Sequence, residues 1–218
     1  MPESWGFPLF IAAVVLFLGW FAWGTQWNVR KGDSVLKWLR QGLPLVGERS
    51  TLRWLGSSVV ELKIAKANDP FRSAETLVVF EPRDVAFIWV WSRLRGRRDT
   101  LIFRSQLRAT PPFEMEIFDP KGWTTHTSES ALQSKKWSRA DLHADQRLVA
   151  YYSGAAGAAA AKELADLAGR AGGKLIRLSV HRNVPNIEVH WLLPDPGARP
   201  ARELFLKLRE LSQAIGKA

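Results

Sequence analysis

The chain has 218 residues, 46% of them hydrophobic, so it is long enough to bury a core but too short for several large domains. It contains no cysteine, which excludes disulfides, thiolate metal sites and cysteine nucleophiles. Its formal net charge of +10 predicts attraction to anionic surfaces such as lipid headgroups, nucleic acid or an acidic partner.

The first predicted element is a transmembrane helix within residues 1–27. No charged side chain occurs between Glu3 and Arg30, and residues 7–23 are almost wholly apolar. About 20 such residues cross the hydrocarbon core of a bilayer. A buried helix of a soluble protein is the alternative, and a cleaved signal peptide is disfavoured because the start is not basic. Tryptophans stand toward both ends of the run, as in a membrane interface: Trp5, Trp20, Trp23 and Trp27.

The charges beside this helix predict its orientation. Glu3 precedes the helix and four cations follow it, so the positive-inside rule places the N-terminus outside the inner (cell) membrane and the remaining chain in the cytoplasm. Residues 28–58 are predicted to form a juxtamembrane helix, at 34–41, and a linker. That helix either rests at the lipid headgroups or packs on the domain. The membrane-interface residues expected here are Arg30, Lys31, Lys37, Trp38 and Arg40.

The rest of the chain predicts an α+β fold in two units, residues 59–136 and 137–218. Alternating apolar and polar residues indicate strands, helical spacing indicates helices, and prolines and glycines separate them. The first unit has strands at 59–64 and 75–81, a helix at 83–94, strands at 100–108 and 113–118 joined as a hairpin, and a weaker helix at 127–136. The second has a strand at 147–152, a helix at 155–170, strands at 174–182 and 186–193, and a helix at 198–215.

Both units read β-α-β-β-α, which predicts an internal duplication. Matching residues occur in the two hairpins at a constant offset, although two amphipathic hairpins with proline turns can also resemble each other by chance. The matching residues are Leu101, Ile102, Ser105, Pro111, Phe113 and Glu114 in the first hairpin, and Leu175, Ile176, Ser179, Pro185, Ile187 and Glu188 in the second.

The positive charge is concentrated in the membrane-proximal half of the sequence. Residues 28–66 carry eight basic and three acidic groups, and residues 83–108 carry seven and two. An anionic lipid leaflet or an acidic partner fits this surplus, an ordinary solvated surface is the plain alternative, and a nucleic acid is disfavoured because no reading motif is visible. The predicted partner-binding residues are Arg93, Arg95, Arg97, Arg98, Arg104 and Arg108.

The predicted helix at 83–94 is apolar on nearly every side. It is too short to span a bilayer, so it either lies in the core or presents one face to lipid or a partner. We favour the core, with Trp89 and Trp91 on opposite sides of the helix.

The search for catalytic chemistry gives weak candidates. Residues 153–157 have the place of a phosphate-binding turn, but they lack the spacing of a P-loop or a dinucleotide motif, so close helix packing is the better account. A metal would need more ligands than the alternating string of Asp141, His143 and Asp145 offers. We therefore predict no catalytic residue, no metal and no cofactor. Three histidines stand apart from any catalytic grouping: His126, His181 and His190.

These features favour a single-pass membrane protein with an accessory or scaffold role. Its partners are expected to be the lipid bilayer and a protein or membrane complex that docks on the basic α+β domain. The alternative is a membrane-tethered enzyme or ligand sensor that uses a cleft between the two repeats. A nucleic-acid tether is a third reading, and it predicts binding that weakens steeply with salt.

Overall fold

The computed structural model describes residues 5–120, 132, 135, 137–143 and 147–217. Its helices are α1, Gly6–Arg40; a short 3-10 turn, Leu43–Leu45; α2, Ala86–Leu94; α3, Gly154–Gly172; and α4, Ala201–Lys217. Its strands are β1, Ser50–Trp54; β2, Val59–Ile64; β3, Phe71–Val79; β4, Thr100–Leu107; β5, Met115–Phe118; β6, Ser138–His143; β7, Arg147–Tyr152; β8, Leu175–Val180; and β9, Ile187–Leu192.

The strands form one nine-stranded sheet in the order β1-β2-β3-β4-β9-β8-β5-β7-β6, and every neighbouring pair is antiparallel. Alternate side chains of each strand point to opposite faces. On β4, Leu101, Phe103 and Leu107 join a core with side chains of α1, α3 and α4. The other face carries charged side chains, and we call it the polar face: Arg104, Glu116, Arg177, Glu188 and His190.

Small residues let α3 approach the sheet closely. Its buried face includes five alanines and two glycines, and Trp191 of β9 lies beneath it. The indole of Trp191 donates to the carbonyl of Ala168 at 2.7 Å, and a methyl group on Gly172 would collide with the same indole. Close packing therefore accounts for the small residues at the end of this helix. In the turn at 153–157, Gly157 packs on Tyr152, whereas Gly154 and Ala155 are exposed, so close packing of the whole turn stays a prediction.

The predicted hairpin of the first unit is wrong. β4 pairs with β3 and β9, and β5 pairs with β7 and β8, so two strands of the second unit lie between β4 and β5. The second predicted hairpin, β8 with β9, is present. Because the two hairpins pair differently and their strands interleave in one sheet, the strand pairing gives the predicted internal duplication no support.

Two edge strands were not predicted. β1 lies within the segment expected as a linker, and all its residues except Trp54 are exposed, so it has no buried alternation to read. β6 forms the opposite edge of the sheet. The helix predicted at 127–136 falls almost entirely outside the described residues.

Helix α1 is longer than predicted. It runs without a break through the expected anchor and the expected juxtamembrane helix at 34–41, so no separate helix begins at residue 34. Residues of its second half are buried against the domain, whereas the most apolar part of its first half is exposed. Among the described residues, α1 is the one helix that is long and apolar enough to cross a membrane, judged by length and composition.

Candidate functional site

The second half of α1 meets the domain through a buried polar network centred on Asp99. Both terminal nitrogens of Arg83 donate to the Asp99 carboxylate, at 3.0 and 2.9 Å, and the Lys31 ammonium donates at 2.6 Å. The backbone N–H of Glu81 adds a fourth donor at 2.7 Å. Burial acts to raise the pKa of Asp99, but the hydrogen bonds from Arg83, Lys31 and Glu81 outweigh it and lower the pKa.

Asn28 of α1 extends the network. Its side-chain N–H donates to the Glu81 carbonyl at 3.1 Å, and its side-chain oxygen accepts from Arg83 at 2.9 Å. The Glu81 carboxylate in turn accepts from the indole of Trp89 at 2.5 Å and from Arg93 at 3.0 Å. Asn28 of α1, two side chains of α2 and the turn after β3 are thus joined by hydrogen bonds. The bonds of Asn28 to Glu81 and Arg83 are buried, where such bonds are strong and directional.

Close backbone contact accompanies these bonds. Gly24 lies against the backbone of Arg83, and a methyl group at this position would overlap the Arg83 carbonyl oxygen. The indole of Trp20 donates to that same oxygen at 2.9 Å. One turn beyond Asn28, Gly32 packs on the ring of Trp54. The junction, as we call this set, consists of Gly24, Asn28, Lys31, Gly32, Glu81, Arg83, Arg93 and Asp99.

Four tryptophans border the junction on the side of the exposed apolar half of α1. Trp20, Trp23 and Trp27 contact one another edge to face, with ring centroids 5.2 and 4.8 Å apart along the helix. Trp89 of α2 lies 6.0 Å from Trp20 and 6.4 Å from Trp27. This aromatic cluster holds α2 beside the point where α1 leaves the domain.

The prediction that α2 belongs to the core is wrong. All nine residues of α2 are described, and among them only Ser92 is buried. The expected division between its two tryptophans is present, because Trp89 faces the junction whereas Trp91 is 56% exposed. The apolar side chains of this helix are thus left largely exposed by the rest of the protein, which hydrophobic periodicity cannot reveal.

The interface residues predicted in α1 divide into two groups. Trp5, Trp23 and Trp27 are exposed, and Trp20 is half-buried between α2 and the domain. Lys31 and Trp38 instead face the protein, since Lys31 binds Asp99 and the Trp38 indole donates to the Arg199 carbonyl at 2.7 Å. The structure thus favours a juxtamembrane helix packed on the domain over one resting on headgroups. Arg30, Lys37 and Arg40 are exposed.

The six arginines predicted as one partner-binding surface lie in three places. Arg93 lies in the last turn of α2 and belongs to the junction, and Arg95, Arg97 and Arg98 follow that helix. Arg104 lies on the polar face, and Arg108 follows the far end of β4, where it pairs with Asp69. Since strands rise about 3.3 Å per residue, Arg108 is about 26 Å along the strand from Thr100. The sequence run is therefore not a single surface.

The polar face carries a row of paired charges across four strands. Arg104 donates to Glu188 at 2.7 Å, and His190 lies 2.5 Å from the same carboxylate. Burial acts to raise the pKa of Glu188, but His190 and Arg104 outweigh it and lower the pKa to about 2. Glu116 is bound by His181, Arg177 and Ser179, and its pKa is also lowered although burial opposes the shift. These carboxylates are held as ion-pair partners.

A pocket of about 410 Å³ opens on the polar face beside the junction. Val79, Thr100 and Leu192 are neighbours there, because the last residues of β3 and β9 pair with the first residue of β4. Its apolar lining includes Val79, Ile102 and Leu192. Its polar and charged lining has more basic than acidic side chains: Arg95, Arg97, Arg98, Lys174, His190 and Asp119. The arrangement would suit a ligand with an apolar body and a negative charge.

The remaining chemical candidates do not converge. Asp141 lies on the edge strand β6 beside Arg139, the side chain of His143 is not described, and Asp145 and His126 lie outside the described residues. The Ser153 hydroxyl accepts from the backbone N–H of Glu114 at 3.1 Å. In the described part of the chain, no group of three or more histidine and acidic side chains is arranged to hold a metal ion.

The junction was not predicted from the sequence. Its charges, at positions 31, 81, 83, 93 and 99, are scattered along the chain and become neighbours through the fold. One signal was available, because Gly24, Asn28 and Gly32 recur every four residues and so mark one face of a helix.

No protein-family model matches this chain, and no curated protein matches it in sequence. The fold and the site define an α+β protein in which one long, partly apolar helix is fixed to an antiparallel sheet.

Proposed function

We propose that the protein is a single-pass membrane accessory protein whose basic α+β domain is held in a fixed orientation against the cytoplasmic face of the inner membrane. The first half of α1 spans the bilayer, with the N-terminus outside. The domain then presents its charged surfaces to a membrane complex or another protein partner beside the membrane.

One observation carries this proposal: the apolar half and the buried half of α1 are a single helix. A helix that merely tethered a domain would be followed by a flexible linker. Here the helix enters the domain directly, and the junction binds it through Asn28, Lys31 and the close approach at Gly24. Such a connection transmits the direction of the membrane span to the domain, which suits a protein that must face a neighbour in the same membrane.

Charge supports the cytoplasmic placement. Arg30, Lys37 and Arg40 are exposed on α1 beyond the apolar half, and Asp99, directly after the basic residues that follow α2, binds Lys31 of the same helix. Cations close to the hydrocarbon are favoured on the cytoplasmic side, where the leaflet is anionic.

Topology can be tested with a single cysteine, because the natural chain has none. We expect an Asn183→Cys variant to be protected from a membrane-impermeant maleimide in intact cells and to be labelled in inside-out vesicles. Asn183 is exposed in the turn between β8 and β9, so the substitution leaves the core untouched. Labelling in intact cells would contradict the cytoplasmic placement, and release of the protein by alkaline carbonate would contradict the anchor.

The accessory role has its own test. Extraction from native membranes in mild detergent should recover the protein in a stoichiometric complex, and a protein that runs alone would contradict this role.

The pocket favours a second candidate function, a membrane-tethered ligand sensor or enzyme. Saturable binding of a ligand that is lost when Arg98 and Lys174 are substituted would support this candidate.

A further inference from the structure

Helix α2 presents an apolar face that the protein leaves uncovered. Phe87, Val90, Trp91 and Leu94 follow the spacing of one helical face, and they are 69, 50, 56 and 82% exposed. The opposite face, with Trp89 and Ser92, turns to the junction. Large apolar side chains grouped on a surface in this way mark a contact with another apolar phase or a partner.

The position of α2 along α1 selects the bilayer as that contact. A helix rises about 1.5 Å per residue, so Trp20 lies about 20 Å and Trp27 about 30 Å from Phe7 along the axis. The hydrocarbon core of a bilayer is about 30 Å thick. The ring of Trp89 packs against both Trp20 and Trp27, so α2 lies at the level where the hydrocarbon ends.

The charges around α2 suit that level. The Arg95 guanidinium stacks 3.8 Å above the Trp91 ring, and Arg98 is exposed two residues after a glycine turn at position 96. Arginine presents a planar fork of donors that matches phosphate oxygens. An apolar face with tryptophan and bordering arginines is the composition of helices that lie in the plane of a membrane interface.

We propose that α2 is a second membrane contact, which lies in the headgroup region of the leaflet on the domain's side. Phe87, Val90 and Leu94 face the upper acyl chains, and Arg95 and Arg98 contact lipid phosphates. This inference rests on the proposed function, because it takes α1 as the membrane span. Two contacts at different points prevent the domain from tilting about the single helix.

The test uses full-length single-cysteine variants carrying a spin label in nanodiscs of phosphatidylglycerol and phosphatidylcholine. We expect the label at Leu94→Cys to be accessible to oxygen and shielded from a water-soluble nickel complex. The label at Phe17→Cys, in the exposed apolar half of α1, should be deeper, and the label at Asn183→Cys should behave as in water. All three positions are exposed in the structure, so folding should be preserved.

The three labels separate the two proposals. A water-like Leu94 label together with a deep Phe17 label would overturn the inference and leave the anchor standing. Water-like labels at both positions would overturn the anchor as well. The arginine contact has a further test: Arg95→Gln with Arg98→Gln should make the Leu94 label shallower in anionic nanodiscs, whereas the same charge change at Arg170 and Arg202 on α3 and α4 should not. An equal depth in all of them would overturn the phosphate contact.

Discussion

Gly24 is the residue on which the connection between α1 and the domain depends most directly. Its missing side chain allows the helix to lie on the backbone of Arg83, and this contact brings Asn28 and Lys31 within reach of Glu81 and Asp99. Gly19 occupies the same helix five residues earlier, with nothing within 4 Å of the position that a methyl group would take. Alanine substitutions at the two positions therefore distinguish the effect of packing on stability from the effect of helix propensity.

The substitution Gly24→Ala is expected to destabilise the protein although alanine favours helix. Helix propensity alone would stabilise it by about 1 kcal/mol. Overlap with a backbone carbonyl cannot be relieved by a side-chain rotation, and such overpacking costs about 1–3 kcal/mol. Denaturant unfolding in detergent, followed by tryptophan fluorescence, measures the change. Gly19→Ala is the control and should be neutral or stabilising, and equal effects of the two variants would contradict the close contact.

At the scale of elements, β4 and β9 are joined by more than their backbone ladder. Arg104 and Glu188 are opposite each other in the register, and His190 lies on the same carboxylate. The β4–β9 pair lies at the centre of the sheet. It joins β4 of the first predicted unit to β9 of the second. An ion pair at that position links the two halves of the chain.

The pH dependence of stability should report this ion pair. The pKa of Glu188 is lowered from 4.5 to about 2 by folding, so the unfolded chain takes up the proton first as the pH falls. The stability from the ionised carboxylate is present above pH 4.5 and is lost as the pH falls toward about 2. Unfolding measured across this range should show a shallower acid loss in Glu188→Gln than in the natural protein. Glu163→Gln, on the exposed side of α3, is the control, and an unchanged slope in Glu188→Gln would contradict the assignment.

At the scale of the whole molecule, features set by residues close together in the sequence were predicted correctly, and features set by residues far apart were not. The bounds of β2 and β7 match the prediction because strand alternation is local. The partners of β4 and β5 were predicted wrongly because nearness in sequence favours a hairpin, whereas the fold inserts β8 and β9 between them. Helix α2 was misplaced because an apolar segment carries the same pattern whether protein or another phase covers it.

The junction belongs to the same class of long-range features. Asn28 and Glu81 are 53 residues apart in sequence, and Lys31 and Asp99 are 68 apart. Nothing in the sequence pairs these polar side chains, because only the fold brings them together. Helix α2 lies beside α1 next to the junction, because Trp89 contacts both Trp20 and Trp27.

The central claim is that α1 and the domain form one rigid body, and a distance between two spin labels tests it most directly. The labels are placed at Phe17→Cys and Asn183→Cys in the full-length protein, in nanodiscs, at opposite ends of the molecule. We predict a single narrow distance distribution, which broadens when Gly24→Ala is added and stays narrow with Gly19→Ala. A broad distribution in the variant that keeps Gly24, as expected for a domain on a flexible tether, would contradict the account.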